Sequence, residues 1–177
     1  MMERLRIATC WLDGCSGCHM SVLDLDEDIV PVLERADLVF GPLVDAQEFP
    51  QGVDVALVEG AVSSQDDLKL AQQIRERSRI VVALGDCAVT SNVPSMRNGL
   101  PVRRLLEHVY VDGVDQHPGV PADGVPGLLR HAVPLHDVVK VDVHVPGCPP
   151  GPGEIQFVLT ELIAGRTPDL GSRARFG

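Results

Sequence analysis

Four of the five cysteines in this sequence follow apolar runs of the length of a buried strand, and this arrangement is its most restrictive feature. The segments read CSGC (Cys15 and Cys18), LGDC (Cys87) and VPGCPP (Cys148). Because loops that leave the carboxyl ends of parallel strands share one edge of a sheet, these cysteines are expected to meet there. Four thiolates at one place suit an iron–sulfur cluster or a zinc ion. The pattern therefore predicts a metal centre at one edge of a sheet.

The spacing of the cysteines favours a cluster over zinc. Structural zinc is usually bound by two close pairs, whereas here one pair is joined by two widely separated single cysteines. A CxxC motif alone would be weaker evidence, because redox pairs and zinc sites share it. A zinc-stabilised interaction module with no redox role stays open on these residues alone. The fifth cysteine, Cys10, lies inside the first apolar run, and we interpret it as a small buried residue and not as a ligand.

Apolar runs and helical patterns alternate along the chain. The strands are predicted at 4–11, 38–44, 53–59, 80–84 and 138–145, and the helices near 19–35, 65–77 and 153–164. Ser64 and Asp67 resemble a capping box at the second helix, and Pro31 predicts a kink or break in the first. This order predicts an α/β domain of the flavodoxin-like type, an open parallel sheet with helices on both faces. We expect one domain over residues 1–177.

The stretch 88–136 interrupts the pattern with six prolines and several glycines. Apart from a turn of helix near 103–108, it shows no regular periodicity. Long excursions of this kind are usually functional or disordered. We interpret it as an ordered arm that covers a partner or the cluster, and a tolerated surface insertion is the alternative.

Composition argues against several classes of partner. The formal net charge is -10, and aromatic residues make up only 3%, so the basic patches and stacking platforms of nucleic-acid binding are missing. No apolar stretch approaches the roughly 20 residues of a membrane-spanning helix. The start of the sequence lacks the features of a secretory signal. We therefore expect a cytoplasmic protein with no membrane partner, in a compartment where cysteines bind metals more often than they form disulfides.

Four stretches of the sequence resemble the small subunit of nickel–iron hydrogenases. They read CWLDGCSGCHMS, LVEGAV, LGDCAVTSNVP and VPGCPPG, and the likeness is greatest to the short type found in cytoplasmic NAD-reducing hydrogenases. The resemblance implies that the four cysteines hold one [4Fe-4S] cluster next to the nickel–iron centre of the large subunit. The cluster would pass electrons toward a diaphorase that reduces NAD, whose subunits carry iron–sulfur clusters and FMN. The nickel–iron site itself is expected on the large subunit and not on this chain.

Differences between this sequence and related subunits bear on the number of clusters and on the type of complex. Longer small subunits carry further cysteines and a histidine for two more clusters, whereas no cysteine follows Cys148, so one cluster is expected. The cluster-bearing subunit of respiratory NADH:quinone oxidoreductase has adjacent cysteines at its first site, and here Cys15 and Cys18 are separated. A quinone-reductase-type complex is therefore the alternative. FMN is a less favoured cofactor, because the loop that would cradle its phosphate carries these two cysteines.

Candidate residues around the cluster complete the predicted site. Backbone N–H groups and one aromatic ring are expected to tune the reduction potential; they belong to Gly14, Gly17, Gly85, Gly147 and Trp11. Glu59 ends a predicted strand at the same edge, where a solvated loop carboxylate is the ordinary interpretation. Because it matches the glutamate of the family's Glu-Gly motif near the subunit interface, we expect it to act in proton relay.

Overall fold

The computed structural model describes residues 4–176. Its strands are β1 (Leu5–Trp11), β2 (Ala36–Phe40), β3 (Val53–Glu59), β4 (Val62–Ser64), β5 (Ser78–Leu84), β6 (Leu128–Val133) and β7 (Val143–Val145). Five of them form a parallel sheet in the order β2-β1-β3-β5-β7. Counted within this sheet alone, the order is 2-1-3-4-5, which is the flavodoxin-like order. Strands β4 and β6 form a separate antiparallel pair.

Helices cover both faces of the parallel sheet, which confirms the predicted fold class. They are α1 (Gly17–Leu23), α2 (Val30–Arg35), α3 (Gln65–Arg77), α4 (Asp86–Thr90), α5 (Val102–Glu107) and α6 (Pro152–Ile163). On one face, Val32 of α2 and Leu159 of α6 pack with the strands. On the other face, Ile74 of α3 and Ala88 of α4 do so. No helix in the described range 4–176 is long and apolar enough to cross a membrane.

Helix α3 matches its predicted bounds because its signals are local. The Ser64 hydroxyl accepts a hydrogen bond from the Asp67 N–H at 3.1 Å, and the Asp67 carboxylate accepts one from the Ser64 N–H at 2.8 Å. This capping box satisfies donors that the first helical turn leaves free.

The predicted helix 19–35 is instead two helices, separated by residues 24–29. The break does not occur at Pro31, which lies in the first turn of α2, where its missing N–H removes no helical hydrogen bond. Helix α1 ends at Leu23, and Asp26 within the break has a φ of 49°, a left-handed conformation that interrupts the helical backbone without glycine.

The arm 88–136 is more regular than predicted. It contains the end of α4, a 3-10 turn at 94–99, α5 and β6, which pairs with β4. Asn98 donates from its amide to the Ala132 carbonyl and accepts from the Ala132 N–H, each at 2.8 Å. These contacts join residues far apart in the sequence, so local patterns do not reveal them. The last strand is also shorter than predicted: β7 covers only 143–145, and a 3-10 turn lies at 135–137.

Candidate functional site

The pairing register places the ends of four parallel strands side by side. Trp11 of β1 pairs with Glu59 of β3, Glu59 pairs with Leu84 of β5, and Leu84 pairs with Val145 of β7. The three cysteine loops follow β1, β5 and β7, and Glu59 ends β3 between them. The sheet therefore delivers all the predicted metal ligands to one edge, as the rule for parallel strands requires.

The four predicted ligands, Cys15, Cys18, Cys87 and Cys148, line one small cavity at this edge. Cys18 is buried and Cys87 is half-buried, whereas Cys15 and Cys148 are exposed. The cavity is thus closed toward the core and reaches the surface on its other side. No group of three or more His, Cys, Asp or Glu side chains within residues 4–176 is arranged around the position of a single metal ion. In a [4Fe-4S] cluster each cysteine binds its own iron atom, so the donors need not converge on one point.

The thiols of the cavity influence one another electrostatically. Burial is the main cause that raises the pKa of Cys18, and the charges of Glu59 and of the other three cysteines raise it further. Burial also raises the pKa of Cys87, while a hydrogen bond from the Val93 N–H opposes the rise. Thiolates so close together repel unless a positive centre lies between them, and iron or another metal supplies that charge. The donor set therefore fits an iron–sulfur cluster.

Gly85 allows β5 to end directly against one of the ligands. It has a φ of 82°, and a Cβ placed on it would overlap the Cys18 sulfur. Its N–H donates to the Val145 carbonyl at 2.7 Å, which holds the ends of β5 and β7 together. Any side chain at this position would push Cys18 out of the cavity.

Asp86 ties two of the cysteine loops together. Its N–H donates to the Gly147 carbonyl at 2.9 Å, and its carboxylate accepts from the Gly147 N–H at 2.6 Å. Asp86 is buried and itself lines the cavity. The sequence analysis missed this contact. Asp86 stands next to Cys87 in the sequence, but its partner is 61 residues away, so no local pattern indicates the pair.

Glu59 is 1% exposed and reaches the cavity from the end of β3. Its Oε2 accepts a hydrogen bond from the His19 N–H at 2.9 Å and lies 2.5 Å from the His19 Nδ1. The His19 Nε2 is buried and has no hydrogen-bond partner among the residues the structure describes. The sequence analysis did not single out His19, although it directly follows Cys18. Buried Glu59 and half-buried His19 form a polar pair beside the candidate metal centre.

The glycines predicted to surround the metal centre differ in their placement. Gly17 and Gly147 line the cavity, and Gly85 contacts the Cys18 sulfur as described above. Gly14 lies against Glu59, since a Cβ placed on it would be 3.4 Å from the Glu59 Oε1.

Trp11 and Cys10 lie away from the cavity. The Trp11 side chain lines a separate apolar groove, and its ring N–H donates to the Gly14 carbonyl at 3.0 Å. The ring therefore supports the cysteine loop without lining the cavity. Cys10 is buried in the core shared with α3, and burial raises its pKa to about 12.

Known proteins resemble this chain over nearly its whole length. The family described as "NADH ubiquinone oxidoreductase, 20 Kd subunit" matches residues 15–162. The NAD-reducing hydrogenase HoxS subunit delta of Cupriavidus necator is 37% identical over 174 residues, covering 96% of this chain and 83% of that protein. A subunit of the F420-non-reducing hydrogenase (vhu) of Methanocaldococcus jannaschii is 38% identical over 168 residues, which are 94% of this chain. This chain spans only 58% of the length of that second relative.

The fold also matches a solved structure. The crystal structure of an NAD+-reducing [NiFe]-hydrogenase in the H2-reduced state contains a chain that superimposes with a TM-score of 0.93 at 37% identity. The match covers 99% of this chain and 100% of that one. Because it covers 99% of this chain, the matched region includes the parallel sheet and the segments that carry the cysteines.

Proposed function

We propose that this chain, which belongs to the 20 kDa subunit family of NADH ubiquinone oxidoreductase, is the electron-transfer small subunit of an NAD-reducing nickel–iron hydrogenase. The observation that carries the proposal is that four cysteines from three loops line one cavity. The matched relatives are hydrogenase subunits, which supports hydrogen as the substrate of the complex. The nickel–iron site belongs to the large subunit, which is the first expected partner, and the diaphorase subunits are the second.

The residues of this chain would hold a single [4Fe-4S] cluster. Cys15, Cys18, Cys87 and Cys148 would each bind one iron atom, and the bound cluster would supply one-electron transfer between the two partners. The hydrogen bonds between Asp86 and the Cys148 loop fix the separation of two ligand loops. The exposed Cys15 and Cys148 leave one side of the site accessible to a partner. Burial and N–H groups near the sulfurs set the reduction potential.

Metal analysis of the purified complex tests this assignment. We expect iron and acid-labile sulfide in equal amounts, about four of each at this site, and visible absorption that bleaches on reduction. Stoichiometric zinc without sulfide would support the zinc-stabilised module and overturn the proposal. Because the diaphorase subunits are expected to carry their own clusters, the measurement compares the complex with and without intact Cys87 and Cys148.

A quinone-reductase-type complex is the second candidate, because the matching family is described by the 20 kDa subunit of that enzyme. The two candidates differ in the substrate of the complex. Hydrogen-dependent reduction of NAD supports the hydrogenase, and NADH-dependent reduction of a quinone without hydrogen activity supports the alternative.

We also propose that Glu59 relays protons between the large subunit and the surface. Its burial and its contact with His19 place a carboxylate beside the site, with a second ionisable group at hydrogen-bond distance. Such a pair is suited to passing a proton without exposing the cavity to water.

Replacing Glu59 by glutamine keeps the shape of the side chain but removes its ability to carry a proton. We expect Glu59→Gln to slow hydrogen-driven NAD reduction about tenfold or more while the iron content stays at the wild-type level. The matched control is Glu76→Gln on the exposed side of α3, which should change neither. Unchanged turnover would place the proton path in the large subunit. Lost iron would show that Glu59 supports the site structurally.

A further inference from the structure

An apolar groove of about 240 Å³ lies beside the cysteine loops. It is formed by β1, β2, α1, α2 and the segment after β2, and its large apolar side chains include Trp11, Met20, Leu23, Leu33, Leu38 and Leu43. Several of them are open to solvent: Leu43 is 76% exposed, Met20 54% and Trp11 48%. Soluble proteins seldom leave large apolar side chains clustered on one surface unless that surface binds something.

Beside the groove, the segment between α1 and α2 carries four acidic residues, Asp24, Asp26, Glu27 and Asp28, which we define as the acidic rim. These four residues lie between α1 and α2, next to Leu23 and Ile29 of the groove, and all four are exposed. None of them forms an ion pair with another residue in the described range. The rim therefore presents uncompensated negative charge in the segment that directly joins the groove residues Leu23 and Ile29.

The groove is continuous with the candidate metal centre. Helix α1 carries Cys18 into the cavity and Met20 and Leu23 into the groove. The Trp11 ring, which lines the groove, is hydrogen-bonded to the Gly14 carbonyl in the first cysteine loop. A molecule in the groove would therefore sit one helix away from the four cysteines.

We propose that the groove binds a polypeptide segment of another subunit of the complex, with large apolar side chains flanked by Lys or Arg that face the acidic rim. This inference rests on the proposed function, because it assumes a multisubunit complex. Apolar side chains fill the groove by the hydrophobic effect, and the cations complement the rim. The negative rim would repel an acidic partner or an anionic membrane surface.

Site-specific photo-cross-linking in the assembled complex identifies the occupant. A photoreactive amino acid replaces Leu33 or Leu43 in the groove, and Gln72, on the exposed side of α3, is the control position. We expect both groove positions to cross-link to one other subunit, within a peptide that combines apolar residues with Lys or Arg, and the control position not to do so. A cross-link to a second copy of this chain, to lipid or to an acidic peptide would overturn the proposal.

Charge reversal at the rim tests the electrostatic part. The double variant Asp26→Lys with Asp28→Lys should lower the amount of the partner subunit that co-purifies with this chain about threefold to tenfold. The partner subunit is the one identified by cross-linking. Asp66→Lys with Glu76→Lys on α3 is the matched control, because it makes the same change of charge on exposed residues away from the groove. Equal loss in both variants, or no loss in either, would show that the rim does not select the partner.

Iron content and hydrogen-dependent NAD reduction of the unmodified complex are measured first. If both are absent, the proposed function fails, whatever the groove binds. If both are present and the groove positions give no cross-link, the docking proposal alone fails.

Discussion

Single residues decide whether the cavity can hold a metal centre, and the five cysteines differ in this respect. Four line the cavity, whereas Cys10 is buried in the core on the α3 face of the sheet. Their surroundings follow from position: the four ligand candidates lie beyond the ends of strands, with Cys18 in the first turn of α1 and Cys87 in α4, whereas Cys10 lies within β1. All five residues are cysteines, so the same substitution at each position distinguishes a metal ligand from a buried core residue.

We expect Cys87→Ala and Cys148→Ala to remove the iron of this site, because three cysteines leave one corner of a cluster without its protein ligand. Cys10→Ala should keep the iron and lower the free energy of unfolding by only about 1 kcal/mol, since it deletes one buried sulfur. Iron and sulfide determination on the three purified complexes is the measurement. Equal iron loss in all three would mean that the ligands are assigned wrongly.

Asp86 is predicted to position the ligand loops through its hydrogen bond to Gly147. Asp86→Ala leaves the Gly147 N–H buried without its acceptor, at a cost of about 1–3 kcal/mol, and should lower the iron content. Asp86→Asn keeps an oxygen that can accept the bond, so it should restore most of the iron. If both variants hold as much iron as the wild type, the contact does not position the loops.

Asp142 connects several elements through one carboxylate. It accepts hydrogen bonds from Arg75 of α3 at 2.6 Å and from the Val81 N–H of β5 at 2.9 Å. Burial raises the pKa of Asp142, but the bonds from the Val81 N–H and from Arg75 outweigh it, so the pKa is lowered overall. A lowered pKa means that the folded protein favours the charged form, and the carboxylate stabilises the packing of α3 against the sheet edge.

The stabilisation by Asp142 is therefore expected to depend on pH. It is fully present above the unfolded-state pKa of about 3.9 and is lost as the pH falls through the lower folded-state pKa. Asp142→Asn should cost about 1–3 kcal/mol at neutral pH, and its difference from the wild type should shrink below about pH 4. Thermal unfolding scans at several pH values measure both effects. Asp66→Asn, an exposed pair with Lys69, is the control and should change little.

Within residues 4–176, large apolar side chains are exposed in two regions. Besides the groove, the arm exposes Met96 at 79%, Val93 at 58% and Leu100 at 55%. The groove and the arm together leave two regions that a partner could cover. This favours a subunit that is stable mainly within its complex.

We accordingly expect the chain expressed alone to aggregate or to lose its iron, and co-expression with the large subunit to yield a soluble, iron-containing complex. Size-exclusion chromatography with iron determination compares the two preparations. A monodisperse isolated chain with full iron content would show that the exposed surfaces do not need a partner.

The amino-acid sequence by itself determined the elements whose signals are local. The bounds of β3 and α3 follow from a continuous apolar run and from a capping box, both contained within a few neighbouring residues. The meeting of the four cysteines at one edge was also predictable, because each follows a strand and parallel strands end at a shared edge. The apolar pattern together with the cysteine spacing was enough to indicate the sheet and the shared cavity of the four cysteines. That they hold a metal centre stays a prediction.

Only the tertiary structure decided the contacts between distant segments. The pairing of β4 with β6, the bond between Asp86 and Gly147 and the approach of Glu59 to His19 each join residues at least 40 positions apart. Trp11 lies in the groove and not in the cavity, because its place in β1 sets the face of the sheet on which its side chain lies. Such contacts depend on the geometry of the assembled sheet, which no local sequence pattern encodes.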